Sequence, residues 1–161
     1  MRNALGPRGE AIFYTLMTEF HSDAGPIFRP QFLGERWPSV DYLVELAGVD
    51  EIVPYFFVQV KTTRLGYTRR DRRLRVAVSD RDLRRLAAFP APTYIAGIDE
   101  REESGFLLSA NGEHLGSLFS IPSSFAITHE TRARLWEEVL AYWRRRAGLG
   151  FSSAFVDPGW R

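Results

Sequence analysis

The sequence predicts an α/β fold: a single domain spanning 161 residues. Its core, residues 9–98, is expected to run helix, three-stranded antiparallel meander, helix, strand. An added hairpin strand, a C-terminal helix and an aromatic tail fill residues 99–161. Three observations predict this. Apolar residues recur at three- and four-residue spacing near the N-terminus and again after residue 129. Between those stretches lie runs rich in β-branched and aromatic residues, separated by Gly-, Pro- and Asp-bearing turns. The run Tyr55-Phe-Phe-Val-Gln-Val-Lys-Thr-Thr63 reads as a buried strand around which the rest is organised.

Taken in order, Gly6-Pro7-Arg8-Gly9 ends a short leader, and residues 9–20 form a helix with an apolar stripe of Ile12, Phe13, Leu16, Met17 and Phe20. Glu10 falls in its first turn, where an acid suits the helix dipole. Gly25-Pro26 breaks the chain before a strand at residues 27–33 and a turn at residues 34–38. The strand at residues 40–46 places Val40, Tyr42, Val44 and Leu46 on one face and Asp41, Leu43 and Glu45 on the other. Residues 48–51 close a hairpin into the central strand, residues 52–63. A basic loop, residues 66–73, leads to a short strand or extension at residues 74–78. Ser79 caps a helix over residues 80–88, with Asp80 and Asp82 in its first turn. Pro90 and Pro92 precede a strand at residues 93–98, which pairs with residues 105–110 across a charged turn. Residues 111–128 read as loop. Thr128 caps a last helix, residues 129–147, whose Leu135, Trp136, Val139, Leu140 and Trp143 form a core-facing stripe. The tail carries Phe151, Phe155, Val156 and Trp160, which pack on the domain or on a second copy, making a homodimer.

A hydrophobic content of 45% suits a globular chain long enough to bury a core. With no cysteine, thiolate chemistry, disulfides and zinc–cysteine sites are excluded. His21, His114 and His129 lie far apart in the sequence, which argues against a histidine metal centre or a Ser-His-Asp triad. No signal pattern and no apolar run of spanning length is present, so the expectation is a soluble, cytoplasmic protein with no membrane partner. The net charge of +1 hides an uneven distribution: residues 64–85 hold nine arginines against Asp71, Asp80 and Asp82.

The central strand carries two polar residues, Gln59 and Lys61, which point to the same face. Polar groups inside an apolar strand are costly without partners. Lys61 is also the only lysine, beside 20 arginines. A compact ammonium acts as a point charge beside a water or phosphate oxygen, whereas a guanidinium is flat and forked. The bland alternative is a strand-end lysine snorkelling to water.

Glu10 on a helix, Asp41 on a hairpin strand and Gln59-x-Lys61 on the next strand together resemble the PD-(D/E)XK nuclease superfamily. The pattern Gly9-Glu10, Asp41, Phe57-Val-Gln-Val-Lys-Thr-Thr63 looks most like the bacterial domain-of-unknown-function family 4365 and the Mrr-type restriction endonucleases, which use Gln-x-Lys. The resemblance implies a restriction-endonuclease-like core and cleavage of DNA, in defence against foreign DNA or in repair. By that match Asp41 is the main ligand of Mg²⁺ or Mn²⁺, with Glu10 assisting directly or through water, the Val60 backbone carbonyl as a further ligand and Gln59 offering an amide oxygen. Lys61 orients the attacking water, helps deprotonate it, or stabilises the pentacovalent phosphate. The sequence departs from the pattern in two places. Gln59 replaces the usual carboxylate, and Trp37-Pro38-Ser39-Val40 replaces a glycine-rich turn whose upstream acid has no counterpart except Glu35.

The arginine segment fits a groove for the phosphate backbone of DNA, with Arg64, Arg69, Arg70, Arg72 and Arg73 beside the central strand and Arg81, Arg84 and Arg85 on the next helix. Tyr67 adds stacking on an unpaired base. With no separate recognition domain, specificity would come from DNA structure or from a partner protein. The rival reading keeps the fold as a catalytically inactive module that binds nucleic acid or a partner protein, with Gln59 marking a decayed metal site.

Overall fold

The computed structural model describes residues 4–112 and 116–159. Those residues form an α/β structure with a mixed five-stranded sheet and three α-helices. In chain order they are α1 (Leu5–Met17), β1 (Phe28–Phe32), β2 (Tyr42–Leu46), β3 (Tyr55–Thr63), α2 (Asp80–Ala88), β4 (Thr93–Asp99), β5 (Ser104–Ser109) and α3 (His129–Arg146). A 3-10 turn, Gly34–Arg36, lies between β1 and β2. The strands stand side by side in chain order. β1, β2 and β3 form an antiparallel meander, β4 runs parallel to β3, and β5 returns antiparallel to β4. α2 supplies the crossover that a parallel pair needs.

The order of elements is the predicted one; several boundaries are not. α1 begins at Leu5, so the expected leader Gly6-Pro7-Arg8-Gly9 lies inside the helix, and Glu10 is not in its first turn. Pro7 is tolerated there because first-turn N–H groups have no intrahelical partner in any case. The helix also stops at Met17, which leaves Phe20 72% exposed and outside the apolar stripe. β1, β2 and β3 are shorter than expected, and Pro54, just before β3, has no N–H to extend its ladder. Residues 74–78 alternate correctly, with Leu74, Val76 and Val78 buried, but make only isolated bridges to Tyr67, Ile121 and Leu118 instead of a strand. β4 starts as predicted and runs one residue longer, to Asp99, β5 lies one residue earlier, and α3 ends at Arg146. The bounds of α2 are as predicted, and Ser79 Oγ accepts the Asp82 N–H at 3.1 Å.

The sheet separates two apolar layers. On one face α1 and α3 pack Phe13, Met17, Leu135 and Val139 against Phe56, Val58 and Ile98. On the other, α2 packs Leu83 and Leu86 over Phe57 and Ile95. The two-residue period of β3 makes this division, and it turns Gln59 and Lys61 toward the α2 side. Where α1 ends and α3 begins, His21 and His129 stack with centroids 3.8 Å apart, although the sequence places them far from each other. His114 lies outside the described residues, as does Trp160 of the tail. Leu149, Phe151, Phe155 and Val156 are exposed, so the described part of the tail does not pack on the sheet.

α1 crosses β3 closely because Gly9 has no side chain: a Cβ there would stand 1.7 Å from Thr62 Oγ1. Gly9→Ala is expected to cost roughly 1–3 kcal/mol by overpacking, seen as a fall in thermal unfolding temperature. Thr62→Ala in the same chain should recover only part of it, because the Thr62 Cβ itself would lie 2.7 Å from the new methyl.

Candidate active site

β2 and β3 part company at Asp41. The Asp41 N–H still donates to the Val58 carbonyl at 2.9 Å, but no residue of β2 continues alongside Val60. The Asp41 side chain takes over, its Oδ2 accepting the Val60 N–H at 2.7 Å. Oδ1 accepts no hydrogen bond among the described residues. Burial pushes the Asp41 carboxyl above the usual range, opposed by the Val60 N–H and Lys61 and reinforced by Asp82.

Gln59 precedes Val60 on β3 and is 5% exposed. Its Oε1 is buried with no hydrogen-bond partner. Its side chain helps hold the Asp82 pKa down, and because an ionised carboxylate can only accept, the amide nitrogen is the end turned toward it. Lys61 Nζ lies 3.9 Å from Asp82 Oδ2, with its side chain 32% exposed. Asp82 also accepts the Ser39 hydroxyl at 2.6 Å. Burial pushes the Asp82 carboxyl up, but Ser39, Lys61, Gln59 and Ser79 outweigh it, and its pKa lies below the ordinary value.

Glu10 reaches this group from the far side of the sheet. The buried Tyr42 donates its hydroxyl to the Glu10 carbonyl at 3.0 Å, pinning α1 to the residue next to Asp41. Burial raises the Glu10 pKa, and the charges of Asp41 and Glu35 raise it further. Burial, with the Glu10 and Asp41 charges, pushes the Tyr42 hydroxyl up to about 12. The structure thus brings Glu10, Asp41, Gln59 and Lys61 to one end of the sheet, with Val60 between the last two. It adds Asp82 and Ser39, which sequence reasoning missed. Asp82 has a sufficient local reason as a first-turn helix acid; the available signal is its place in the first turn of the helix that follows the Gln-x-Lys strand.

The arginine segment is more internally engaged than its composition suggests. Arg64 binds Glu100 through Nε at 2.7 Å, and Arg73 binds Ser120. Arg84 pairs with Asp80 at 2.8 Å, and Arg85 Nε donates to the Pro38 carbonyl. Tyr67 packs edge-on against Phe106, and Arg72 lies over its ring. Arg69, Arg70 and Arg81 are exposed, with no side-chain partner among the described residues. No helix among the described residues is long and apolar enough to cross a membrane. No protein-family model, curated protein or solved structure matches the chain.

The folded-state pKa of Asp41 lies above its unfolded value, so its ionised form weakens the fold at neutral pH. That cost disappears as the pH falls below the unfolded value of about 3.9. Asp41→Asn keeps an oxygen for Val60 and removes the charge. It should raise the unfolding temperature near neutral pH, by about 2–4 °C for each kcal/mol relieved. Thermal unfolding across pH should show the wild type and variant converging under acid conditions.

Proposed function

We propose that the chain has a restriction-endonuclease-like core and hydrolyses phosphodiester bonds of nucleic acid, DNA in the first instance, with Mg²⁺ or Mn²⁺. The observation that carries this reading is the convergence of Asp41, Gln59 and Lys61 where β2 leaves β3, with an unpartnered buried amide oxygen among them. A buried unsatisfied carbonyl-type oxygen costs on the order of 1–3 kcal/mol unless something binds it.

The donor set fits a hard divalent cation. Asp41, the Gln59 Oε1, the Val60 carbonyl and Glu10 are all oxygen donors, which suit Mg²⁺ or Mn²⁺ rather than softer metals. Among the described residues no three His, Asp or Glu side chains gather closely enough to form a metal centre by themselves. That is compatible with Mg²⁺, which keeps several waters and needs only one or two carboxylates. When bound, such an ion polarises a phosphoryl oxygen and lowers the pKa of a water. The chain's own residues do the rest. Asp41 and Gln59 fix the position of the cation's oxygen shell, Glu10 holds water at its edge, and Lys61 orients the attacking water and offsets charge on the phosphate. Trp37 is 45% exposed and lies against Phe57, on the Gln59 side of β3, offering a stacking surface that the engaged Tyr67 does not. Arg69, Arg70 and Arg81 supply phosphate contacts.

A second reading, a catalytically inactive nuclease-fold module binding nucleic acid or a partner protein, draws on the neutral Gln59 and on the absence of a three-acid group among the described residues. One experiment separates the two. Supercoiled plasmid, linear duplex, single strand, branched junction and RNA are incubated with Mn²⁺ or Mg²⁺ and wild-type, Asp41→Asn or Lys61→Ala protein. Metal-dependent cutting reduced at least about 100-fold in both variants is the expected result. Equal cutting by all three proteins, or none by any, would sink the hydrolase reading and leave the binding module.

A further inference from the structure

The carboxylate missing from the central strand has a counterpart one element further along. We propose that Asp82 is a positioning residue for Gln59 and Lys61, supplying from α2 the negative charge that a glutamate would carry at position 59. The inference rests on the hydrolase reading above and goes beyond it by assigning a residue outside the Gln-x-Lys strand.

Asp82 and Asp80 share the first turn of α2, where either would suit the helix dipole. They part in what their side chains do. Asp80 turns along the helix to Arg84 at 2.8 Å. Asp82 turns inward, to the Gln59 amide, to Lys61 and to the Ser39 hydroxyl. Ser39 is held for this contact at φ 65, a left-handed conformation that costs a non-glycine residue roughly 1 kcal/mol. The segment Trp37-Pro38-Ser39-Val40 therefore works as a clamp: Ser39 binds Asp82, and the Pro38 carbonyl accepts from Arg85 on the same helix.

The consequence lies in the orientation of the amide. With its nitrogen turned toward Asp82, Gln59 points Oε1 away from that carboxylate, and that atom is the buried oxygen left without a partner. Asp41 is held beside it, its Oδ2 accepting the N–H of the next residue, Val60. Asp82 thus selects the rotamer that presents an oxygen, rather than an N–H, to a cation beside Asp41. The same carboxylate gives Lys61 an anionic neighbour that restrains its ammonium at the edge of the site.

The test reads Mn²⁺ binding directly, from the electron paramagnetic resonance signal of the free ion, with folding checked by thermal unfolding. Asp82→Asn should weaken Mn²⁺ binding about 10-fold or more, the scale on which outer-shell partners act. Asp80→Asn, which removes the same charge two residues away in the same turn, should leave it within about twofold of wild type. Adding Gln59→Glu to Asp82→Asn returns the acid to the strand and should restore the affinity, a rescue that a purely structural role for Asp82 would not give. If Asp82→Asn fails to fold, Ser39→Ala takes its place, with a smaller loss of a few-fold expected. Wild-type affinity in Asp82→Asn, together with loss in Asp41→Asn, would overturn this inference and leave the proposed function standing. Mn²⁺ binding that is absent, or unaffected by Asp41→Asn, would overturn both.

Discussion

One unpaired strand edge governs this end of the molecule. β3 runs on to Thr63 beside β4 alone, after β2 has stopped at its last bond to Val58. A strand N–H facing no partner costs on the order of 1–3 kcal/mol if it is shut away from water. At Val60 a carboxylate meets that need instead of a backbone carbonyl. The substitution draws Asp41 into a half-buried position and raises its pKa, so the group that ends the ladder is also a charged group held under electrostatic stress. Two neighbouring devices hold it in company. Gly9 lets α1 lie close on Thr62, and Tyr42 ties the Glu10 backbone to the strand that carries Asp41.

Arg8 and the arginines of residues 64–85 divide by what they do rather than by where they fall in the sequence. Arg64 and Arg8 are both committed to Glu100, which neutralises charge at the end of β4 and locks the chain there. Arg73 and Arg85 spend their donors on a backbone carbonyl or hydroxyl, so they organise the loop and α2 without losing their charge. Arg69, Arg70 and Arg81 are left to face solvent. The exposed arginines are thus carried on a scaffold that the engaged ones help to hold.

The elements were legible in the sequence because local chemistry and tertiary demand agreed. Ser79 followed by first-turn acids fixed the start of α2, and the alternation of β3 assigned Phe57 and Gln59 to one face. The start of α1 was misread because Pro7 and Gly9 look like a break. Pro7 instead sits in a first turn that does not use its missing N–H, and Gly9 answers to a strand far along the chain. Residues 74–78 have the two-residue period of a strand, but a ladder needs a neighbour, and the chain offers only isolated bridges. At the site, Asp41, Gln59 and Lys61 were visible as oddities within otherwise apolar strands. Asp82 was not, because an acid at a helix start already has a sufficient local reason to be there. Only the distance to Lys61 and the contact with Ser39 reveal the second one.

The neutral residue at position 59 then follows from the same electrostatics. Glu10, Asp41 and Asp82 all carry charge at one end of the sheet, and the pKa values of the first two are raised in part by other acids. A further carboxylate at position 59 would lie near Asp82 and next to the Val60 N–H that Asp41 binds, where like charges in a partly buried setting drive protonation instead of ionisation. It would also remove the donor that helps keep Asp82 ionised. An amide has the opposite effect on both counts: Nε2 steadies the helix acid, and Oε1 keeps an oxygen for the pocket without adding charge. In the proposed site Gln59 and Asp82 would divide between two side chains the work of one strand carboxylate, and Ser39, at φ 65, binds the second of them.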